Sequence, residues 1–213
     1  DALDRFLKGG GAAVVLSDPM LVSNLEARVK SWGIELGNDV VVEEQRTLFM
    51  GPQLGVQPIV SSYGTHPVTK GFGRERLTLF NLARSLKAAD GTAPVELALT
   101  GDKSWAESDT KRFVDHSEVS RDEGVDRMGP LPLAMATTVK GDTKEGRLIV
   151  AGDSDFARNR YVSEAYNADL FLNMVAWLVG EEEFATIERK LPRASTTTKM
   201  PLALNVNLCE PLH

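Results

Sequence analysis

An α/β sandwich with a mostly parallel central sheet is the fold this sequence predicts, and three stretches predict it. Arg147–Gly180 reads as strand, polar loop and helix. Residues 12–42 read as strand, helix and strand, a βαβ unit with the usual right-handed crossover. Leu133–Val139 and Leu148–Ala151 flank a KGDTKEG turn and read as an antiparallel hairpin. Strands that alternate with helices place the chain among the α/β folds.

The elements follow in order. Leu3, Phe6 and Leu7 have helical spacing, and Gly9–Gly11 end that helix. Ala12–Leu16 is a short apolar run of the buried-strand type, broken by Ser17, Asp18 and Pro19. Ser23 and Glu26 have capping-box spacing for a helix whose stripe is Leu25, Val29 and Trp32, and Gly33 ends it. Val40–Val42 is the next strand. Leu48–Val56 reads as loop, Pro58–Ser62 as a strand, and Tyr63–Thr69, YGTHPVT, as a turn-rich loop. Leu77–Leu86 carries both strand and helix signals, with strand preferred, and Val95–Thr100 is a strand after Pro94. Gly101–Met128 is polar and charged and reads as a solvated excursion. Leu148–Ala151 is a buried-type strand that stops at Gly152. In the last helix Leu170, Met174 and Trp177 share one face with Phe171 beside them. Asn167 stands at the N-cap position, and Gly180 suits a left-handed C-cap. Residues 1–190 form one soluble domain, and 191–213 form a tail that leaves it. The opening DALDRFLKGG has the look of a helix in mid-course, so the chain is expected to be a piece of a longer one.

The 213 residues are 42% hydrophobic and 25% charged, enough for a packed core. A net charge of −6 without a basic run argues against nucleic acid, because phosphate binding needs clustered Lys and Arg. The one cysteine, Cys209, excludes an intrachain disulfide and a cysteine-rich zinc site. A single cysteine fits the cytosol and the periplasm equally. No membrane-length apolar run is present in the sequence.

Catalytic readings are weak. Gly152-Asp153-Ser154 has the spelling of a serine-hydrolase block. That block stands early in its fold and needs a late Asp-x-x-His pair, and none follows here. His66 and His116 have no evident nucleophile to serve. Cys209 sits in a polar tail without a strand-to-helix elbow. Gly9–Gly11 precedes a strand, whereas phosphate-cradling loops run from strand into helix. No cofactor or metal is expected.

Read together, LKGGGAAVVLSDPM, YGTHPVT, LFNLARSL, LTGDKSWAES, GRLIVAGDSDFARNRY and NADLFLNMVAWLVG resemble a known family over roughly residues 3 to 190. It is the auxiliary component of uncharacterised ABC-type transport systems, which includes the GldG-type gliding-motility-associated protein. The resemblance implies an extracytoplasmic (periplasmic) domain of an inner-membrane-anchored bacterial protein, held by flanking helices and partnered by the ATPase and membrane subunits of the transporter. It also implies a flavodoxin-like sheet of the class I glutamine amidotransferase kind, a three-layer sandwich, with a strand and helix ahead of DALDRFLKGG. The amidotransferase cysteine in its elbow is missing, so that chemistry does not carry over.

The function expected is therefore a non-catalytic accessory domain that binds a ligand or partner. The alternatives are a hydrolase or amidotransferase-like enzyme on the same sheet, or a cytosolic sugar- or nucleotide-binding module. In a parallel sheet the loops after the strands gather at one edge. Asp18, Ser104, Trp105, Glu107, Asp153, Ser154 and Asp155 would then line one acidic, hydroxyl-bearing cleft. Arg84 would supply counter-charge, and His66 and Asn159 further hydrogen bonds.

Overall fold

The computed structural model describes residues 2–21, 23–47, 51–111 and 120–181, with side chains at all of these but 44–47 and 51–54. His116, Cys209 and the tail 191–213 lie outside them. Helix α1 spans Ala2–Lys8, α2 Leu25–Ser31 and α3 Asn167–Val179. The strands in chain order are β1 Ala12–Leu16, β2 Ile34–Leu36, β3 Val40–Thr47, β4 Gly51–Gly55, β5 Ile59–Val60, β6 Ser62–Tyr63 and β7 Thr78–Leu79. They continue as β8 Leu86–Ala88, β9 Val95–Leu99, β10 Ser104–Glu107, β11 Arg127–Met128, β12 Pro132–Lys140 and β13 Glu145–Ala151.

The main sheet has the order β1-β13-β12-β9-β6. Only β1 and β13 pair in parallel; β13 with β12, β12 with β9 and β9 with β6 are antiparallel. The hairpin expected at Leu133–Ala151 is present, with Ala134 opposite Ala151 and Lys140 opposite Glu145. A second sheet, β11-β10-β3-β4, is antiparallel throughout, and β2/β8 and β5/β7 are separate antiparallel pairs.

This corrects the expected flavodoxin-like, class I amidotransferase-like sandwich with a mostly parallel sheet. A parallel neighbour needs a crossover, usually a helix. Among the described residues no helix bridges β9 to β12. The segment between them builds β10 and β11, and β12 returns antiparallel. The βαβ unit at 12–42 is corrected too. Strand β1 lies in the main sheet, β2 pairs with β8, and β3 lies in the second sheet. The excursion at Gly101–Met128 holds the buried strand β10, and part of the loop expected at Leu48–Val56 is strand β4.

The apolar run of β13 is explained by burial on both faces. Leu148 and Val150 face a cluster with Leu7 of α1, Val29 and Trp32 from the α2 region, and Ile34 and Leu86 from the small strand pair. Ile149 and Ala151 face the other cluster, with Phe80, Phe156 and Leu170, Met174 and Trp177 of α3. Phe80 and Phe156 stack with centroids 4.9 Å apart, and Phe156 meets Phe171 edge-on at 6.2 Å.

Helix ends depart from the simplest reading. Gly180 takes the left-handed conformation at φ 80°, and its N–H bonds back into the last turn, as a C-cap requires. Tyr166, however, is the N-cap of α3. Asn167 is fully buried instead and staples the helix to β7. Its Oδ1 accepts from Leu79 N at 2.8 Å and its Nδ2 donates to Leu79 O at 2.8 Å. At α2 the Ser23 hydroxyl accepts from Leu25 N at 3.2 Å, while the Glu26 carboxylate accepts from Arg84 at 3.0 Å.

Candidate functional site

Two regions carry the candidate side chains. The first is the end of β1 and β13. Their parallel pairing sets Ser17 and Asp18 beside Asp153–Asp155. Asp18 Oδ1 accepts from Ser154 N at 2.6 Å, and Oδ2 from Ser154 Oγ at 2.8 Å. Asp153 is fully buried and accepts from Asp155 N at 2.6 Å, Asn81 N at 2.8 Å and Phe156 N at 3.3 Å. Asp155 accepts from Asn81 Nδ2 at 2.6 Å and pairs with Arg158. Arg84, 2% exposed, donates through Nε to Gly37 O at 2.6 Å and pairs with Glu26 at 3.0 Å. It approaches the Asp18 backbone carbonyl at 3.4 Å, not that residue's carboxylate.

The three aspartates therefore receive hydrogen bonds that tie Asn81 and residues 154–158 to the strand ends. Burial first, then the Asp155 and Asp18 charges, push Asp153 up to about 7, against the Asn81 and Asp155 N–H groups that pull it down. The native state then holds a proton that the unfolded chain releases near pH 4. Its contribution to stability is fullest at acid pH, falls as pH rises from about 4 to about 7, and is flat above that. The unfolding free energy from urea melts is expected to be higher at pH 5 than at pH 8 by an amount on the order of 2 kcal/mol from this group. Asp153→Asn should flatten that slope. An unchanged slope in the variant would assign it to other carboxyls.

The other candidate residues lie elsewhere. Ser104, Trp105 and Glu107 are in β10, buried within the second sheet and paired with β3. The Ser104 hydroxyl bonds Thr100 Oγ1 at 2.5 Å, and Glu107 Oε1 accepts from Asp109 N at 2.9 Å. Trp105 stands opposite Val42 and Met128. Asn159 is exposed in the turn after Asp155–Ala157.

His66 marks the second region, at the opposite end of the sheet. It lies against the start of β9, the far half of β12 and the C-terminal turn of α3. There it helps to line a pocket of about 180 Å³ with Val95, Thr137, Thr138 and Trp177. A larger cleft of about 630 Å³, which His66 also lines, opens along the Tyr63–Phe72 segment. Gly64 sets this loop's position. Its N–H donates to Leu97 O at 3.2 Å, and any Cβ there would collide with the Glu96 carbonyl oxygen. His66 Nδ1 accepts from Val68 N at 3.2 Å and so caps the short 3₁₀ turn Pro67–Thr69. Thr69 Oγ1 donates to Gly64 O at 2.5 Å, and Asn173 Nδ2 of α3 donates to Val68 O at 2.9 Å. The His66 ring meets Trp177 edge-on at 4.8 Å.

Sequence reasoning singled out His66 and missed its surroundings. Tyr63, Lys70 and Phe72 stand within six residues of it, so the cleft was implicit in the loop once that loop was known to fold back. Asn81, which joins Asp153 to Asp155, carried no signal beyond its place after an apolar run.

The family model for the auxiliary component of the ABC-type uncharacterized transport system matches residues 1–179. The chain belongs to this family. No curated protein matches it at a significant level. Among solved structures, the mmIFT52 N-terminal domain has a similar fold, with a TM-score of 0.59 and 16% sequence identity over 89% of this chain and 71% of that one. That likeness concerns the fold alone. Membership of the transport-system family supports an auxiliary, non-enzymatic role in transport.

Proposed function

We propose that this chain is a non-catalytic accessory domain of an ABC-type transport system, placed outside the cytoplasm, which binds a ligand or partner on behalf of the transporter. The family match over residues 1–179 carries the reading. The chemistry of the side chains supports it. Ser154 donates to Asp18, and His66, the one histidine among the described residues, lies at the other end of the sheet. The Asp18–Asp155 cluster spends its oxygens on N–H groups of its own loops and on the Ser154 hydroxyl. Among the described residues no helix is long and apolar enough to cross a membrane. ATPase and membrane subunits are the partners, and gliding-motility systems of the GldG type are the version that the sequence segments resemble. Detergent extraction of the full-length protein is expected to bring down an ATPase subunit and a membrane subunit, and protease added outside spheroplasts should cleave the domain. Recovery of the protein free in the cytosol, with neither subunit attached, would sink the proposal.

A further inference from the structure

We infer that the outer face of α3 is a docking surface for an amphipathic helix of a partner protein, one whose apolar stripe is flanked by Lys and Arg. The polarity of α3 is inverted. Its hydrophilic residues are Asn167, Asp169 and Asn173, and both asparagines are buried. Asn167 bonds to Leu79, and Asn173 donates to Val68 O at 2.9 Å. The outward face instead carries Leu172, Val175 and Val179 at helical spacing, 45%, 37% and 63% exposed, with Ala168 and Ala176 beside them. A surface helix normally turns polar residues to water, and one that is apolar all round is covered. Three large apolar side chains in line along a helix are the kind of anchor that a partner's helix reads.

Charge sets the kind of partner. From Tyr161 to Glu188 the sequence has six acids and no Lys or Arg. Asp169 stands in the first turn of α3, and the exposed Glu181 follows its Gly180 cap, so a carboxylate stands at each end of the stripe. Glu182 and Glu183 continue the run in sequence. The C-terminus of a helix carries partial negative charge and favours cations, so Glu181 is set against the field of its own helix. That placement opposes folding, and a cation from outside relieves it. The same acids argue against two other occupants. Two copies joined through α3 would bring carboxylate to carboxylate, and an anionic lipid surface would be repelled.

This inference rests on the accessory role proposed above and names the kind of partner that role requires. It is tested on the isolated 213-residue chain with model peptides, so its outcome is separate from that of the assembly experiment. The probe is a helical peptide of about 18 residues, with leucine at every third and fourth position and lysine on either side of that stripe. It is set against the same peptide with glutamate for lysine, and amide shifts are followed by NMR. The lysine peptide is expected to shift the amides of residues 168–181 saturably at about 1 mM or below, and to bind about tenfold more tightly than the glutamate peptide. Raising salt to about 0.5 M should weaken it. Val175→Asp and Leu172→Gln should each cost about fivefold or more in affinity, with the melting temperature nearly unchanged. Glu181→Lys should weaken binding while raising the melting temperature slightly. The inference is overturned if the two peptides bind alike, if the responding amides lie elsewhere, or if neither binds at about 1 mM. It is overturned equally if sedimentation shows a dimer that Val175→Asp dissociates, or if nuclear Overhauser contacts in the free chain run from the stripe to residues 184–213.

Discussion

Trp177→Ala is expected to lower the unfolding free energy by about 3–5 kcal/mol, read as a fall in the urea midpoint without a change of slope. The indole is 8% exposed and shares the buried face of α3 with Leu170 and Met174. It is also the point at which three elements meet. The Arg147 guanidinium of β13 lies over the ring at 5.1 Å, and its Nη1 donates to the Trp177 carbonyl oxygen. The His66 ring closes the edge at 4.8 Å. Truncation to Ala removes all of the ring contacts and opens the small pocket beneath into a larger void. Trp177→Phe keeps an aromatic face for both neighbours and should lose well under half as much. A loss under about 1 kcal/mol for Trp177→Ala would show that α3 is peripheral to the core.

Arg84→Ala is expected to cost about 3 kcal/mol or more, and Arg84→Lys to recover only part of it. The guanidinium is 2% exposed and reaches three segments at once: Gly37 O after β2, Glu26 of α2, and Ser17 and Asp18 after β1. Removal leaves the Gly37 carbonyl without its partner and a void where the side chain lay. Glu26 is about one-third exposed, so water can take over its carboxylate, and its share of the loss is small. Lysine has one point of donation where the arginine fork has several. Full stability in Arg84→Ala would mean that these segments are held together by their apolar contacts alone.

The parts legible in the sequence were those whose signal is local. The β12–β13 hairpin, the apolar face of α3 and its Gly180 cap, and the first helix all follow from spacing, turn residues and one glycine. Strand direction was not legible, because an apolar run such as Leu148–Ala151 reports burial on both faces and says nothing about which way its neighbour runs. Residues 101–128 misled for a related reason. Their charge suggested a solvated segment, yet Ser104, Trp105, Ala106 and Glu107 are buried, and the charges fall mostly outside that strand. Of the candidate site, the meeting of Asp18 with Ser154 follows from β1 and β13 being parallel neighbours. The distance of His66 from that cluster could not be read, because it depends on where a long loop returns to the sheet.

The two borders of the main sheet differ in what they permit. At one border stands β6, two residues long, and Gly64 follows it at once with its N–H bound to Leu97 O. So short a rim gives a newcomer little to grip. At the other stands β1, five residues of Ala, Val and Leu without charge, proline or bulge. Gly11 O and Ser17 N both bond to β13, which places the odd-numbered residues between them on the inner side. The peptide groups of Ala12, Val14 and Leu16 point outward, with no backbone partner among the described residues. A ladder of this kind grows from one side only, and its next rung would be laid beside Val14.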